Sequence, residues 1–378
     1  MKYDIAIIGA GASGLMLAAL LKNQKVCIID SNSEIGAKIK VSGGGKCNIT
    51  NKYVSAKNYL GNEKFVQDIL DGFDSKAFLS FCKENGLVPH FDEKIVKGTY
   101  FCKSSKEVIS LFKKLTTSCK YYLNTKVVDM TYDDAFCIET NKQNIMAQKV
   151  VVASGGLSFT NLGASSIAFD IAKKFNHKVN VLNPALVGFT VQKDEFWFKK
   201  LSGISCFVKA TVEQKSFEGN ILFAHKGCTG PVILNSSLYW KKGQMSLDFL
   251  PNKKIEPFLK SNKKISSALP LPKRFIQEFL LASNLEDKAI SSLKDDELEQ
   301  LKRLKNYNFA PAGNFGFTKA EVTKGGICTN DINSIDMQSY LQKDLYFLGE
   351  CLDVTGELGG YNFQFAWSSA YVCAKSLQ

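Results

Sequence analysis

The segment YDIAIIGAGASGLMLAALLKNQKVCIID, Tyr3 to Asp30, decides the fold. Its apolar run to Gly9 reads as a buried strand, Gly14–Gln24 as a helix, and Lys25–Asp30 as a second strand. Gly9, Gly11 and Gly14 form G-x-G-x-x-G in the strand–turn–helix setting that gives this pattern its meaning. Gly9 permits the tight turn, Gly11 lets a pyrophosphate approach bare backbone, and Gly14 lets the helix pack closely on the strand. Ala10, Ala12 and Ser13 complete the turn, where free N–H groups at a helix N-terminus favour an anion. Asp30, followed by Ser31, stands where an acidic side chain accepts from the adenosine ribose hydroxyls. A structural glycine turn with an incidental aspartate is the competing reading. Four coincident features favour dinucleotide binding over it.

At 378 residues the chain is long enough for two domains, or for one domain carrying a large insertion. Its 45% apolar and 22% charged residues describe an ordinary globular protein. No apolar run reaches membrane-spanning length, and glycines break the opening apolar stretch, so a cytoplasmic protein without a membrane partner is expected. The eleven cysteines are scattered and lack CxxC spacing, so they read as reduced, mostly buried small hydrophobes. The histidines, His90, His177 and His225, are too far apart to suggest a metal site. A net charge of +12 would suit an anionic partner, yet only Arg274 and Arg303 among the 48 basic residues are arginine. With the bidentate fork of arginine nearly missing and the lysines dispersed, a solvated lysine surface is expected rather than a specific nucleic-acid interface.

Along the chain, EKFVQDILDGF, SKAFLSFCKENG and SKEVISLFKKL carry helical spacing, and β-like runs follow up to VVVASGG, which ends at Ser154, Gly155 and Gly156. From about Gly188 alternating segments predict a β-rich module, and a lysine-rich helical stretch runs to Asn306. The chain then returns to a buried strand, DLYFLGE, and to glycines opening a last helix near Tyr361. The expected architecture is α/β. A Rossmann-like split domain at 1–188 and 318–378 surrounds an inserted module at 189–317, β-rich over 189–250 and helical over 251–306.

The stretch VSGGGKCNITN, Val41 to Asn51, shows neither helical nor strand periodicity. Ordering three consecutive glycines costs backbone entropy, which close approach to a bound group would offset. It follows the second strand directly, and GELGGYNFQ, Gly356 to Gln364, forms another glycine turn before a helix. Early and late segments meeting on one ligand suit FAD better than NAD. The C-terminal helix start would stabilise negative charge on the reduced flavin, with Asn362 and Gln364 able to meet its pyrimidine edge. Phe365 and Trp367 read as packing residues.

These blocks resemble the bacterial NAD(P)/FAD-dependent oxidoreductases of the aminoacetone oxidase-like (BaiN/YhiN-like) family. The resemblance rests on IIGAGASGLMLA, GAKIKVSGGGKCNITN, VVVASGGLSFTNLG, NPALVGF, LFAHKGCTGPVILNSS and LYFLGECLDVTGELGGYNFQFAWSSA, in family order over nearly the whole chain. The chain departs from it at Lys46, usually arginine, at Gly36-Ala37-Lys38, usually Gly-Arg-Lys, at Asp30, usually glutamate, and after Gly156. The resemblance implies a split FAD domain with an inserted β-barrel-like module and a small helical part, and an FAD site that takes in Lys38, Ser42, Gly43, Gly44, Gly45, Lys46, Cys47, Asn48 and Val127. It also takes in Ser154, Gly155, Gly156, Gly349, Glu350, Asp353, Gly359, Gly360, Tyr361 and Asn362. His225 is the acid–base candidate, with a structural histidine as its alternative. Cys47 has no activating context.

The expected function is an FAD-dependent oxidoreductase acting on a small organic molecule, its flavin reduced by NAD(P)H or by substrate. Without a second glycine fingerprint, NAD(P)H would visit transiently in a cleft between the FAD domain and the insertion. The resemblance implies members that reduce conjugated double bonds of steroid-like acids and others that oxidise amino ketones. Two other classes stand beside this reading: a flavin-dependent RNA-modifying enzyme, and a non-catalytic flavoprotein whose insertion is an interaction module.

Overall fold

The computed structural model describes residues 2–92 and 96–378. They form two compact units, one made of residues 1–184 and 321–378 and the other of 185–320. Among the described residues no helix is long and apolar enough to cross a membrane.

The first unit is built on a seven-stranded sheet. Its strands are β1 (Lys2–Ile8), β2 (Val26–Ile29), β3 (Lys120–Tyr122), β4 (Val127–Asp133), β5 (Ala135–Thr140), β6 (Asn144–Val152) and β7 (Leu345–Phe347). The parallel part runs β3–β2–β1–β6, and β7 joins β6 in parallel. β6 serves two partners along one edge. Residues 144–147 pair antiparallel with β5, while Val150–Val152 pair with Leu345–Phe347. Its second half, VVV, is fully buried, as a strand covered on both faces must be. The connection from β1 to β2 is helix α1 (Ala12–Leu20), a segment without charged residues whose middle is wholly buried. α1 packs against α2 (Tyr361–Leu377), the last helix of the chain. The predicted helices appear as Glu63–Gly72, Ser75–Glu84 and Ser105–Leu115, capped by the side chains of Asn62, Asp74 and Ser104.

The glycine stretch differs from the irregular loop expected there. Ala37–Val41 is a short helix, Ser42–Gly45 a tight 3-10 turn, and Asn48–Asn51 a strand. That strand pairs antiparallel with Thr99–Phe101, which also pairs with His90–Asp92. NITN is polar and too short to show a period, so only its distant partner makes it a strand.

The second unit holds a seven-stranded antiparallel sheet. Its two end strands, Tyr307–Phe309 and Pro311–Asn314, are separated in sequence by Ala310 alone. A sheet whose opposite edges meet across one residue must curl on itself, which gives the barrel-like module. Aromatic side chains fill it, with Phe198 against Trp197, Phe223, Tyr307 and Phe309.

Gly14 shows how tightly α1 must sit on β1. A Cβ there would lie 2.0 Å from the Gly9 carbonyl oxygen. Gly14→Ala is therefore expected to destabilise the chain by about 1–3 kcal/mol through overpacking, read as a lowered melting temperature with less bound flavin. An unchanged melting curve would mean that the turn has slack.

Candidate functional site

α1 begins after Gly11 in extended backbone, with no capping side chain and no acidic residue in its first turn. Nothing lies within 4 Å of a Cβ built on Gly11, so the first N–H groups open outward as a seat for an anion. Asp30, partly exposed, is held beside them. Its Oδ2 accepts from the Ala10 N–H at 2.7 Å, and its Oδ1 accepts from the Asn32 N–H at 2.8 Å. Ser31 is exposed next to it. The Thr125 N–H donates to the Asp30 carbonyl, which brings Val127, buried at the start of β4, to the same edge.

The second glycine segment is left-handed throughout: Gly43, Gly44 and Gly45 have φ of 56°, 63° and 88°. Asn48 backs the first of them, its Oδ1 2.3 Å from where a Gly43 Cβ would stand. Gly44 and Gly45 have nothing within 4 Å on that side. The strand that follows is fastened to the start of α2. Asn51 Nδ2 donates to the Gly359 carbonyl at 2.9 Å, Thr50 Oγ1 donates to Gln364 Oε1 at 2.5 Å, and Trp367 Nε1 donates to the Ile49 carbonyl at 2.8 Å. Gly360 precedes α2 with φ 93° and no side-chain cap, leaving a second helix N-terminus open.

Ser154, Gly155 and Gly156 follow β6. Thr323 holds the end of this turn, its Oγ1 accepting from the Leu157 N–H at 2.8 Å and the Ser158 N–H at 3.1 Å. Glu350 Oε1 accepts from the Thr323 N–H at 3.0 Å, and Glu350 Oε2 pairs with Lys38 Nζ at 2.5 Å. Gly349 lies against α1: a Cβ there would meet Ser13 Oγ at 2.1 Å. Glu321 is close by in charge terms; burial pushes its carboxyl above the ordinary range, against the pull of Lys38.

The glycine segments of the first unit thus come together, Gly9 against Ala153 and Ser154, Gly349 against Ser13 and Gly360 against Thr50. Ser154 Oγ and Asn48 Oδ1 are buried without a hydrogen-bond partner among the described residues. Buried polar atoms in a folded chain are nearly always satisfied, and these two belong to the glycine segments, where a polar group of a bound cofactor would meet them. Two uncapped helix starts, a carboxylate beside one of them and the bare backbone between fit the phosphates, ribose and flavin of FAD.

Other sequence candidates land differently. His225 is exposed, in the two-residue turn between strands Lys215–Ala224 and Gly227–Thr229 of the second unit. The Asn362 amide is committed to Gly356, accepting from its N–H and donating to its carbonyl, both at 2.8 Å. Gln364 is fully buried and bonded to Thr50, Phe73 and Ser368, so it braces α2 from behind rather than meeting a pyrimidine edge. Tyr361 is buried edge-on to Tyr59, and Asp353 accepts from Asn180 Nδ2 at 2.6 Å. Lys46 is exposed. Cys47 is fully buried, and burial pushes its thiol up to about 12. Sequence reasoning missed Thr323, Glu321 and Asn51. The glycine pair at 325–326 in EVTKGG was the available signal for the first two.

The model of the family described as HI0933-like protein Rossmann domain matches residues 3–376. The ribosomal RNA dihydrouridine synthase of Escherichia coli is 35% identical, covering 100% of this chain and 98% of that protein. The 3-dehydro-bile acid delta(4,6)-reductase of Clostridium scindens is 28% identical over 98% of each. Among solved structures, the 3-ketosteroid delta1-dehydrogenase of Sterolibacterium denitrificans shares the fold, with a TM-score of 0.51 at 11% identity over 100% of this chain and 99% of that one.

Two variants probe the glycine turn. Gly44→Val places a branched side chain on a left-handed backbone facing open space, so the protein should fold yet carry clearly less FAD, measured as flavin absorbance per chain. Full flavin content would show that nothing approaches the turn. Because the Cys47 thiol stays protonated and buried at pH 8, iodoacetamide should leave it unmodified until the protein is unfolded, as peptide mass spectrometry would report.

Proposed function

The chain belongs to the HI0933-like Rossmann family and is an FAD-dependent oxidoreductase, and we propose that it reduces a carbon–carbon double bond of a uracil base in ribosomal RNA. The observation that carries this reading is the 35% identity, end to end, with a ribosomal RNA dihydrouridine synthase. Dihydrouridine differs from uridine by two hydrogens across a ring double bond conjugated to a carbonyl. The name of the bile acid reductase describes the same kind of bond, unsaturation beside a 3-oxo group. The shared chemistry is therefore hydride delivery to an electron-poor alkene, and the higher identity favours the base as substrate.

Bound FAD would supply hydride chemistry, with NAD(P)H as the hydride source, one alkene carbon receiving the hydride and the other a proton. The chain's own residues hold it. The α1 N-terminus would hold the pyrophosphate, Asp30 the ribose hydroxyls, and the start of α2 the ring edge where charge gathers on reduction. Ser154 and Asn48 supply the polar contacts that their buried oxygens await. The Lys38–Glu350 pair keeps Glu350 against Thr323 and so fixes the turn at Gly155–Gly156.

This reading departs from the small-molecule expectation. Scarce arginine argues against reading base sequence through bidentate forks, but phosphates are neutralised by lysine point charges just as well. A uracil in a reaction site is recognised there, not by groove readout. A cytoplasmic location, where ribosomal RNA and NAD(P)H meet, accompanies the reading.

The test is incubation of the purified flavoprotein with NADPH or NADH and ribosomal RNA lacking dihydrouridine, followed by nucleoside mass spectrometry. Dihydrouridine that depends on enzyme and reductant is expected. No dihydrouridine, with rapid reduction of a conjugated 3-oxo steroid acid under the same conditions, would move the protein to the second substrate class.

A further inference from the structure

Next to the glycine turn, the small sheet of Asn48–Asn51, Thr99–Phe101 and His90–Asp92 carries a cluster of rings and ammonium groups at the surface. Tyr53 is 45% exposed and Phe91 43%, and the rings of Phe91 and Tyr100 lie 5.2 Å apart between centroids. Lys52 Nζ stands 5.5 Å from the centre of Tyr53 and 5.4 Å from that of Phe91, and Lys97 Nζ stands 5.3 Å from Tyr53. Among the described residues neither ammonium makes an ion pair. Single exposed aromatics are ordinary. Three rings interleaved with two cations that pair with no carboxylate among the described residues are not.

Their place matters as much as their chemistry. Asn51, whose Nδ2 donates to Gly359 at the start of α2, also donates to the Lys97 carbonyl at 3.0 Å, and its Oδ1 accepts from the Tyr53 N–H at 2.9 Å. One buried side chain thus anchors the ring cluster and a wall of the flavin site together. On the glycine side, the Cys102 N–H donates to the Lys46 carbonyl, and both Lys46 and Lys103 are exposed.

We propose that this lysine–aromatic face docks single-stranded RNA beside the flavin site, Tyr53 and Phe91 stacking on an unpaired base and Lys52 and Lys97 meeting phosphates. The proposal rests on the RNA reading above and adds the surface that serves it. A uracil within a helix is out of reach of a cofactor and must leave its stack. Unpaired RNA is held by aromatic stacking with cations along the backbone, and both elements are present here at the site's edge. Lysine suits a backbone contact that carries no sequence information.

The test uses the full FAD-loaded chain and a fluorescein-labelled oligouridylate, with anisotropy followed over a salt titration. The double variant Tyr53→Ala/Phe91→Ala should bind roughly tenfold more weakly. Lys52→Gln/Lys97→Gln should flatten the dependence of log affinity on log salt by about 0.7 per lysine. Both should keep wild-type flavin content and rate of flavin reduction by NAD(P)H, and Tyr53→Phe should retain binding because it keeps the ring. Unchanged RNA binding in both double variants, with loss on changing the exposed Lys254 and Lys260 to Gln, would overturn the proposal and place the RNA elsewhere. So would anionic phospholipid vesicles that bind the wild type, are lost in the double variants, and leave RNA binding untouched. A wild type that neither binds the probe nor forms dihydrouridine would defeat the RNA reading itself. A wild type that does both while the variants match it defeats only this surface.

Discussion

The site depends on a tether between two segments 308 positions apart: the Asn51 side chain on the Gly359 carbonyl. Asn51 is completely buried and its side chain bonds three backbone groups, the Lys97 and Gly359 carbonyls and the Tyr53 N–H, so it has no solvent alternative if the tether is lost. Unsatisfied buried amides cost far more than a made hydrogen bond returns, and that asymmetry locks the geometry. Thr50 and Trp367 reinforce it through Gln364 and Ile49. The result is that an open glycine turn and an open helix N-terminus, neither stable in isolation, are held together.

The same constraint makes the first unit a single cooperative piece despite its split sequence. β7 completes the sheet only by pairing with the buried half of β6, and α2 supplies the surface on which α1 packs. Glycine is required where these parts cross. Gly349 passes within van der Waals reach of Ser13, and Gly360 crosses Thr50, whose carbonyl oxygen would lie 2.5 Å from an added Cβ. Binding strength and folding are coupled here, because the parts that bare their backbone to the cofactor are the parts that close the domain.

What the sequence made legible was local. The strand, glycines, helix and Asp30 lie within 30 residues and carry their own periodicity, and the three amphipathic helices with their Asn, Asp and Ser caps are equally self-announcing. What was hidden was set by distant partners. Asn48–Asn51 is a strand because Thr99–Phe101 lies beside it. Thr323 holds Leu157 and Ser158 across more than 160 positions, a relation no spacing encodes. Asn362 and Gln364 have side chains suited to a flavin edge, yet turns around Gly356 and the buried Phe73 carbonyl claim them first. Residue type alone does not say which way a polar side chain faces. Cys47 is the converse case, a reactive type silenced by burial.

The central claim is that this flavoprotein delivers its electrons to a base in RNA. Anaerobic mixing of the reduced enzyme with ribosomal RNA, watching flavin absorbance in a single turnover, tests it most directly. RNA lacking dihydrouridine should return the oxidised flavin spectrum, while a conjugated 3-oxo bile acid should leave the flavin reduced. Reoxidation by the steroid with none by RNA would contradict it.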